Sequence, residues 1–359
     1  MILVCKDFEY DGKTLLNQNL ISVNFDNDTT LPSSITRKME TTTMNKYKPY
    51  TDGFGTSYQD VLEFEIHIVK DVCELIDQSE MEFQPNEYDD IVSWLTSPQN
   101  NKKMKVTTEN NITQVVYGYF SSVTPFDAYG VCYGIKCVFT CNSQFSYDEK
   151  TANLTSSGRN SFTINNSSSE RYDYVYPVLN IKPSTNEDMF ICNMSDSDVL
   201  DSGKIAVTEN DSENIASLMK KIETNAATSN STVTYITDKD TMDILLLCDK
   251  TVILFYQTDS YGIKKKCIAY YSKTDGSYNI LSGGFFYCKL LKGLDISINS
   301  KILGVYDVLN RPVLFTDIGI QDEDEIYWLR LKHGNNEIIT NGSFECEMTY
   351  LEPRKGMLV

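Results

Sequence analysis

Residues Val61 to Val69 read VLEFEIHIV, and in this run Leu62, Phe64, Ile66 and Ile68 alternate with Glu63, Glu65 and His67. A period of two puts the apolar side chains on one face of a strand and the polar ones on the other. The same pattern returns at Val131 to Thr140, where Val131, Tyr133, Ile135, Cys137 and Phe139 share a face. It returns again at the far end, where Phe344, Cys346, Met348 and Tyr350 alternate with Glu345, Glu347 and Thr349. A mainly β fold built of half-buried strands is therefore predicted. Composition leans the same way, because 23 Tyr and 16 Phe stand against 2 Trp, and these rings suit pleated surfaces. Val115 to Val123 forms a further strand, with Gly118 marking a bend or a close backbone approach.

One helix interrupts the early strands. Pro85 fits a first helical position, Glu87, Asp89 and Asp90 suit the positive end of the dipole, and Tyr88, Ile91, Val92 and Leu95 form an apolar stripe ended by Ser97-Pro98. At 359 residues the chain exceeds one usual core, so two domains are expected. The Ser-, Thr- and Asn-rich stretch from Ser146 to Ser169 reads as their connection, with Phe162 to Ile164 as an alternative strand start inside it, dividing the chain into 1–150 and 151–359. Beyond it, strands are predicted at Tyr174 to Ile181, Asp243 to Tyr256 with a turn at Asp249-Lys250, Lys265 to Tyr271, Leu294 to Ile298 and Ile326 to Leu331. A second helix follows an N-cap at Asp211-Ser212, with Ile215, Leu218, Met219 and Ile222 on one side. Gly53-Phe54-Gly55 and His333-Gly334-Asn335-Asn336 read as turns.

The search for chemistry returns little. His67 and His333 are the only histidines and read as surface residues; no Cys-x-x-Cys, His-x-x-x-His, nucleophile elbow or phosphate loop occurs, so neither a metal nor a cofactor is expected. The ten cysteines are scattered and read as buried thiols of a reducing compartment. Asp196, Asp198 and Asp201 lack the glycine and closing glutamate of a calcium loop, and Asp322 to Glu325 is a run of four acids; both read as solvated turns. A net charge of −18 argues against general nucleic-acid binding, and no apolar run is long enough to cross a membrane as a helix. Without a catalytic constellation the expectation is a structural or binding protein, not an enzyme. Aromatic density permits one binding role: Tyr256, Tyr261, Tyr270, Tyr271 and Tyr278, with Phe285-Phe286-Tyr287 nearby, are candidates for a carbohydrate platform, against the alternative that they are packing residues.

An ordered series of segments then resembles a known family. FEYDGKTL near the amino terminus is followed by ISVNFD, FGTSYQDVLEFEIHIVK, EYDDIVSWLTSPQNNKKMKV with Trp94-Leu95-Thr96 at its centre, YGYFSSV and GIKCVFTCNSQFSYDE. In this order they resemble the amino-terminal domain of distal tail proteins from long-tailed phages of Gram-positive bacteria. FTINNSSSERYDYVYPVLNI resembles the entry to that family's second domain, and FECEMTYLEPRKG its closing strand and basic tail. The resemblance implies a barrel- or sandwich-like ring-forming domain with one packed helix, commonly hexameric, then a galectin-like β-sandwich. It implies a tail-tip location in the virion after assembly in the host cytoplasm. The implied partners are the chain itself, the tail tube, a tail-associated lysin or tip protein, and receptor-binding proteins, with DNA as passing cargo. It carries over no catalytic residue. The segment at about 196–284 departs from the simple second domain and is expected to be an inserted module, which in related proteins can bind cell-wall sugar.

Overall fold

A computed structural model describes residues 3–25, 37–42, 52–58, 60–71, 73, 77–158, 160–196, 205–207, 215–236, 252–272, 277–282, 284–321, 324 and 326–355. The chain separates into two compact units, Met1–Glu149 with Glu352–Val359, and Lys150–Leu351.

The first unit contains β1 (Asp7–Tyr10), β2 (Lys13–Thr14), β3 (Leu20–Val23), β4 (Arg37–Thr42), β5 (Asp52–Tyr58), β6 (Glu63–Lys70), α1 (Pro85–Thr96), β7 (Lys102–Thr107), β8 (Thr113–Ala128) and β9 (Val131–Cys141). β8 is long enough to take different partners along its length within one sheet. Its first part pairs with β7, which pairs with β1 and through it β2; its later part pairs with β9, followed by β6 and β3. Gly118 stands at the handover, in register with both Lys102 and Cys141. A Cβ at Gly118 would lie 2.2 Å from the Thr140 carbonyl oxygen, so no other residue allows the backbones to approach this closely. The apolar sides of these strands share one core, including Phe8, Tyr10, Phe64, Ile66, Ile68, Met104, Val106, Phe120 and Phe139. α1 covers it with Ile91, Trp94 and Leu95.

β10 (Ser146–Ser157) leads into the second unit, followed by β11 (Asn160–Asn166), β12 (Val178–Pro183), β13 (Glu187–Asn193), β14 (Ile205–Val207), α2 (Ile215–Thr228), β15 (Thr232–Tyr235), β16 (Val252–Thr258), β17 (Lys264–Ser272), β18 (Ser277–Ser282), β19 (Phe286–Leu290), β20 (Ile296–Asn299), β21 (Gly304–Asp307), β22 (Gly334–Asn341) and β23 (Ser343–Arg354). β23, β12, β20 and β21 pair in that order, and β11, β22, β13 and β19 make a second sheet. Leu179, Ile181, Ile296, Ile298, Phe344, Cys346 and Met348 of the first sheet meet Met189, Ile191, Phe286, Cys288 and Ile338 of the second in one sandwich core. The other face of the second sheet is also covered. Phe190, Cys192, Phe285 and Tyr287 pack against Leu254 and Ile268 of a third sheet, ordered β14-β18-β17-β16-β15. The far side of that sheet carries Ile253, Phe255, Cys267, Ala269 and Ile280, which pack with Ile222 of α2. The second unit is therefore a stack of three sheets and a helix.

Several sequence expectations are corrected. Ser146 to Ser169 is largely two strands, β10 and β11, because Thr and Ser alternate there with Leu154, Phe162 and Ile164, which join the sandwich core. Gly53 and Gly55 lie inside β5, where the register against β4 slips at Phe54; the glycines mark a bulge and not a turn. Among the described residues, Ile326 to Leu331 pairs only through an isolated bridge from Leu331 to Val175, and Gly334 already begins β22. Asp211-Ser212 and Asp249-Lys250 lie outside the described residues.

Candidate functional site

The five candidate tyrosines all belong to the third sheet and its hairpins, yet they are not gathered together. Tyr261 sits in the turn between β16 and β17, where Asp259 accepts the backbone N–H groups of Tyr261 and Ile263, and it is 89% exposed. Tyr256 is half-buried, with its hydroxyl donating to Asp324 at 3.1 Å. Tyr271 stands opposite Tyr278 in the register, and Tyr270 opposite Val252 and Asn279. These last three lie toward the Ser272 end of β17, whereas Tyr261 lies beyond its Lys264 end. At ~3.3 Å per residue the strand separates them by roughly 20 Å. Phe285, Phe286 and Tyr287 are buried packing residues, split between the two faces of their sheet.

The acidic runs contain the least expected feature. Asp324 is not solvated: its side chain is 4% exposed and pairs at 2.5 Å with Lys266, itself 7% exposed. Asp324 also accepts the Gln321 N–H at 2.8 Å, and the Lys266 ammonium lies 4.2 Å from the centre of the Tyr287 ring. The Tyr287 hydroxyl donates to Asp188 at 2.9 Å; burial first and the Asp188 carboxylate second push its ionisation upward. A second network centres on Asp196, which is wholly buried and accepts from Tyr327 at 2.7 Å, Tyr174 at 3.2 Å and the Arg330 Nε at 2.5 Å. Asp198 and Asp201, like Asp322, Glu323 and Glu325, lie outside the described residues. Both corrections have one cause: a carboxylate leaves water only when a cation and donors meet it, and Lys266 and Arg330 are far away in sequence.

His67 is likewise buried and not a surface residue. Phe25 donates its N–H to Nδ1 at 3.0 Å, so Nε2 carries the proton that meets Glu65 at 2.9 Å, and the Phe25 ring stacks on the imidazole. Both ring nitrogens are engaged in structure, which leaves no arrangement for general base work. His333 lies at the edge of β22. Burial pushes the thiols of Cys5, Cys141, Cys192 and Cys346 up to about 12, far from the range of a nucleophile at neutral pH. Among the described residues no three His, Cys, Asp or Glu side chains converge as a metal site, and no helix is long and apolar enough to cross a membrane.

In the first unit, β4 and β5 form a two-stranded sheet of their own. Beside α1 lies a groove of about 640 Å³ whose lining includes Leu20, Phe83 and Ile91 with Lys70, Glu82 and Glu87. Residues 3–143, which hold the hairpin, the groove and the core, match the family described as the phage tail protein N-terminal domain. The chain carries a phage tail domain. No curated protein sequence matches the chain. Among solved structures it is similar to the Dit protein of phage SPP1, described as a paradigm of hub adsorption apparatus in Gram-positive infecting phages. That likeness has 10% identity and a TM-score of 0.49, and covers 97% of this chain and 98% of that one. It is also similar to a chain of the phage P2 baseplate in its activated conformation with Ca, at 9% identity and a TM-score of 0.39, covering 97% and 98%.

Within the tail domain, the Trp94-Leu95-Thr96 segment has a clear physical task. The Trp94 indole N–H donates to the Tyr10 carbonyl at 2.8 Å, and its ring stacks on Phe8 at 5.7 Å, so α1 is fastened to β1. The helix start is fastened separately. Gln84 and Glu87 form a capping box, and the Glu87 carboxylate also meets the Lys70 ammonium at 2.7 Å. Partial burial works against the Glu87 charge, but the bonds from Lys70 and the Gln84 N–H outweigh it and hold its carboxyl below the usual range. A lowered carboxyl pKa stabilises the folded tail domain above the unfolded-state value, and the gain disappears as pH falls through the folded value. Glu87→Gln should therefore lower stability by about 0.5 kcal/mol at pH 7, since solvent reaches the Glu87 side of the pair and screens it. Urea midpoints of the two proteins should converge as pH falls below the folded-state value.

Proposed function

We propose that this chain is a structural component of a phage tail tip. Its tail domain assembles into a ring, a hexamer on this reading, that joins the tail tube to a tail-associated lysin or tip protein and to receptor-binding proteins. The observation that carries the proposal is the tail-domain match over residues 3–143. The β4–β5 pair supports the ring: two strands alone are marginal in water, and among the described residues no further strand pairs with their outer edges. A neighbouring copy meets both needs, and one such contact repeated around an axis closes a ring. The sandwich of the second unit takes the place of the family's galectin-like domain and carries the segment at about 196–284 as an inserted module. No reaction is required of such a part. A net charge of −18 suits a surface past which DNA travels without adhering. Gold-labelled antibody against the chain should mark the distal end of intact tails; label confined to the head or spread along the tube would overturn the assignment.

A host-adhesion role is the second reading, with Tyr256, Tyr261, Tyr270, Tyr271 and Tyr278 of the module meeting cell-wall carbohydrate. Tyr261, exposed at a hairpin tip, is the feature that favours it. Removing the inserted module, about residues 196–284, should then abolish retention on purified cell walls, and undiminished retention would exclude the module.

A further inference from the structure

A second aromatic surface lies on the sandwich itself. Val175 and Leu331 exchange two backbone hydrogen bonds, at 2.8 and 2.9 Å, and both side chains are buried. Residues flanking such a pair point to the opposite face, so Tyr174, Tyr176, Arg330 and Lys332 share the outer side, with Tyr176 across from Arg330 and Tyr174 across from Lys332. Tyr176 is 43% exposed, Lys332 is exposed, and Tyr172 just before them is 92% exposed. Arg330 is fixed in place. Asp196 beneath it holds Nε at 2.5 Å and a terminal nitrogen at 3.1 Å, which lays the guanidinium 4.1 Å above the Tyr174 ring.

This combination has a defined chemistry. Exposed tyrosine rings offer flat apolar faces with hydroxyl edges, the surface on which the C–H face of a sugar ring rests while its hydroxyls bond at the rim. Exposed Lys332 supplies positive charge on this face of a chain whose net charge is −18, while the charge of Arg330 beside it is balanced by Asp196. Charge of that sign selects an acid group, and a guanidinium oriented by a buried carboxylate is pre-organised for carboxylate or phosphate oxygens. Buried Asp196 acts only through Arg330 and is a positioning residue.

We infer that Tyr172, Tyr176, Arg330 and Lys332 form a binding surface for an acidic saccharide, a sugar chain bearing carboxylate or phosphate groups. The inference goes beyond the tail-tip reading and does not depend on it. The test is calorimetric titration of the full chain with three oligosaccharides of equal length: a uronate oligomer, a phosphodiester-linked oligomer and a neutral one. At least one acidic oligomer is expected to bind about tenfold or more tighter than the neutral one, and which of them binds separates carboxylate from phosphate recognition. Tyr176→Ala and Lys332→Glu should each weaken that binding by about fivefold or more, whereas Tyr129→Ala, an exposed tyrosine of the first unit, should leave it unchanged. Failure of both acidic oligomers to bind, equal binding of the neutral one, or indifference to Tyr176→Ala and Lys332→Glu would overturn the site. Ring assembly, read by light scattering on the same samples, reports on the tail-tip proposal separately.

Discussion

Replacing Asp324 with alanine is expected to destabilise the second unit by about 3–5 kcal/mol, the cost of leaving one member of a buried ion pair uncompensated. Both partners are nearly sealed from water, so bulk screening offers little relief. The alanine variant would strand the Lys266 ammonium between the Tyr256 and Tyr287 rings, whose faces attract a cation too weakly to replace a carboxylate. Two further groups lose their acceptor, the Tyr256 hydroxyl and the Gln321 N–H. The pair joins β17 to the segment after β21, so the third sheet should loosen first. Hydrogen exchange should quicken across β16 and β17 before the sandwich strands respond. Equilibrium urea unfolding supplies the magnitude. A double variant, Asp324→Leu with Lys266→Met, should recover most of the loss, because removing both charges removes the stranded one. A loss below about 1 kcal/mol for Asp324→Ala would show that the ion pair contributes no more than a surface one.

The second large effect belongs to Trp94→Ala in the tail domain. The substitution empties a buried aromatic volume under α1, which costs about 3–5 kcal/mol on its own. It also removes the donor for the Tyr10 carbonyl and the ring beneath Phe8. Trp94→Phe separates these contributions: it keeps an apolar ring and should cost about 1–3 kcal/mol, mainly for the orphaned carbonyl. Thermal unfolding followed by far-ultraviolet dichroism checks both values. Equal losses for the two variants would mean that the indole hydrogen bond, and not the packing, holds the helix.

What the sequence disclosed follows from how each strand is buried. β6, β9 and β23 were legible because one face meets a core and the other meets a polar environment, which writes a period of two into the chain. Gly118 was legible for a similar reason, since a lone glycine in such a pattern has few other uses. β13 and β19 were missed as strands. Both of their faces are covered, and their residues Met189 to Cys192 and Phe286 to Cys288 show a continuous apolar run without alternation. The run in β13 was the available signal, and it lay inside a stretch that otherwise looked irregular. The buried charges gave no signal at all. Asp196 and Asp324 resemble any surface acid until the fold brings Arg330 and Lys266 to them, and His67 until Phe25 closes over it. For the same reason the candidate tyrosines were named by proximity in sequence, whereas the face bearing Tyr174 and Tyr176 depends on a bridge to Leu331.

The central claim is that the chain is a ring-forming part of a phage tail tip. The most direct test is electron microscopy of the purified full-length protein at tens of micromolar, sorted into two-dimensional class averages. Closed rings with a central channel, six-fold on the reading above, are the predicted result. Class averages showing only single copies over the whole concentration range would contradict it.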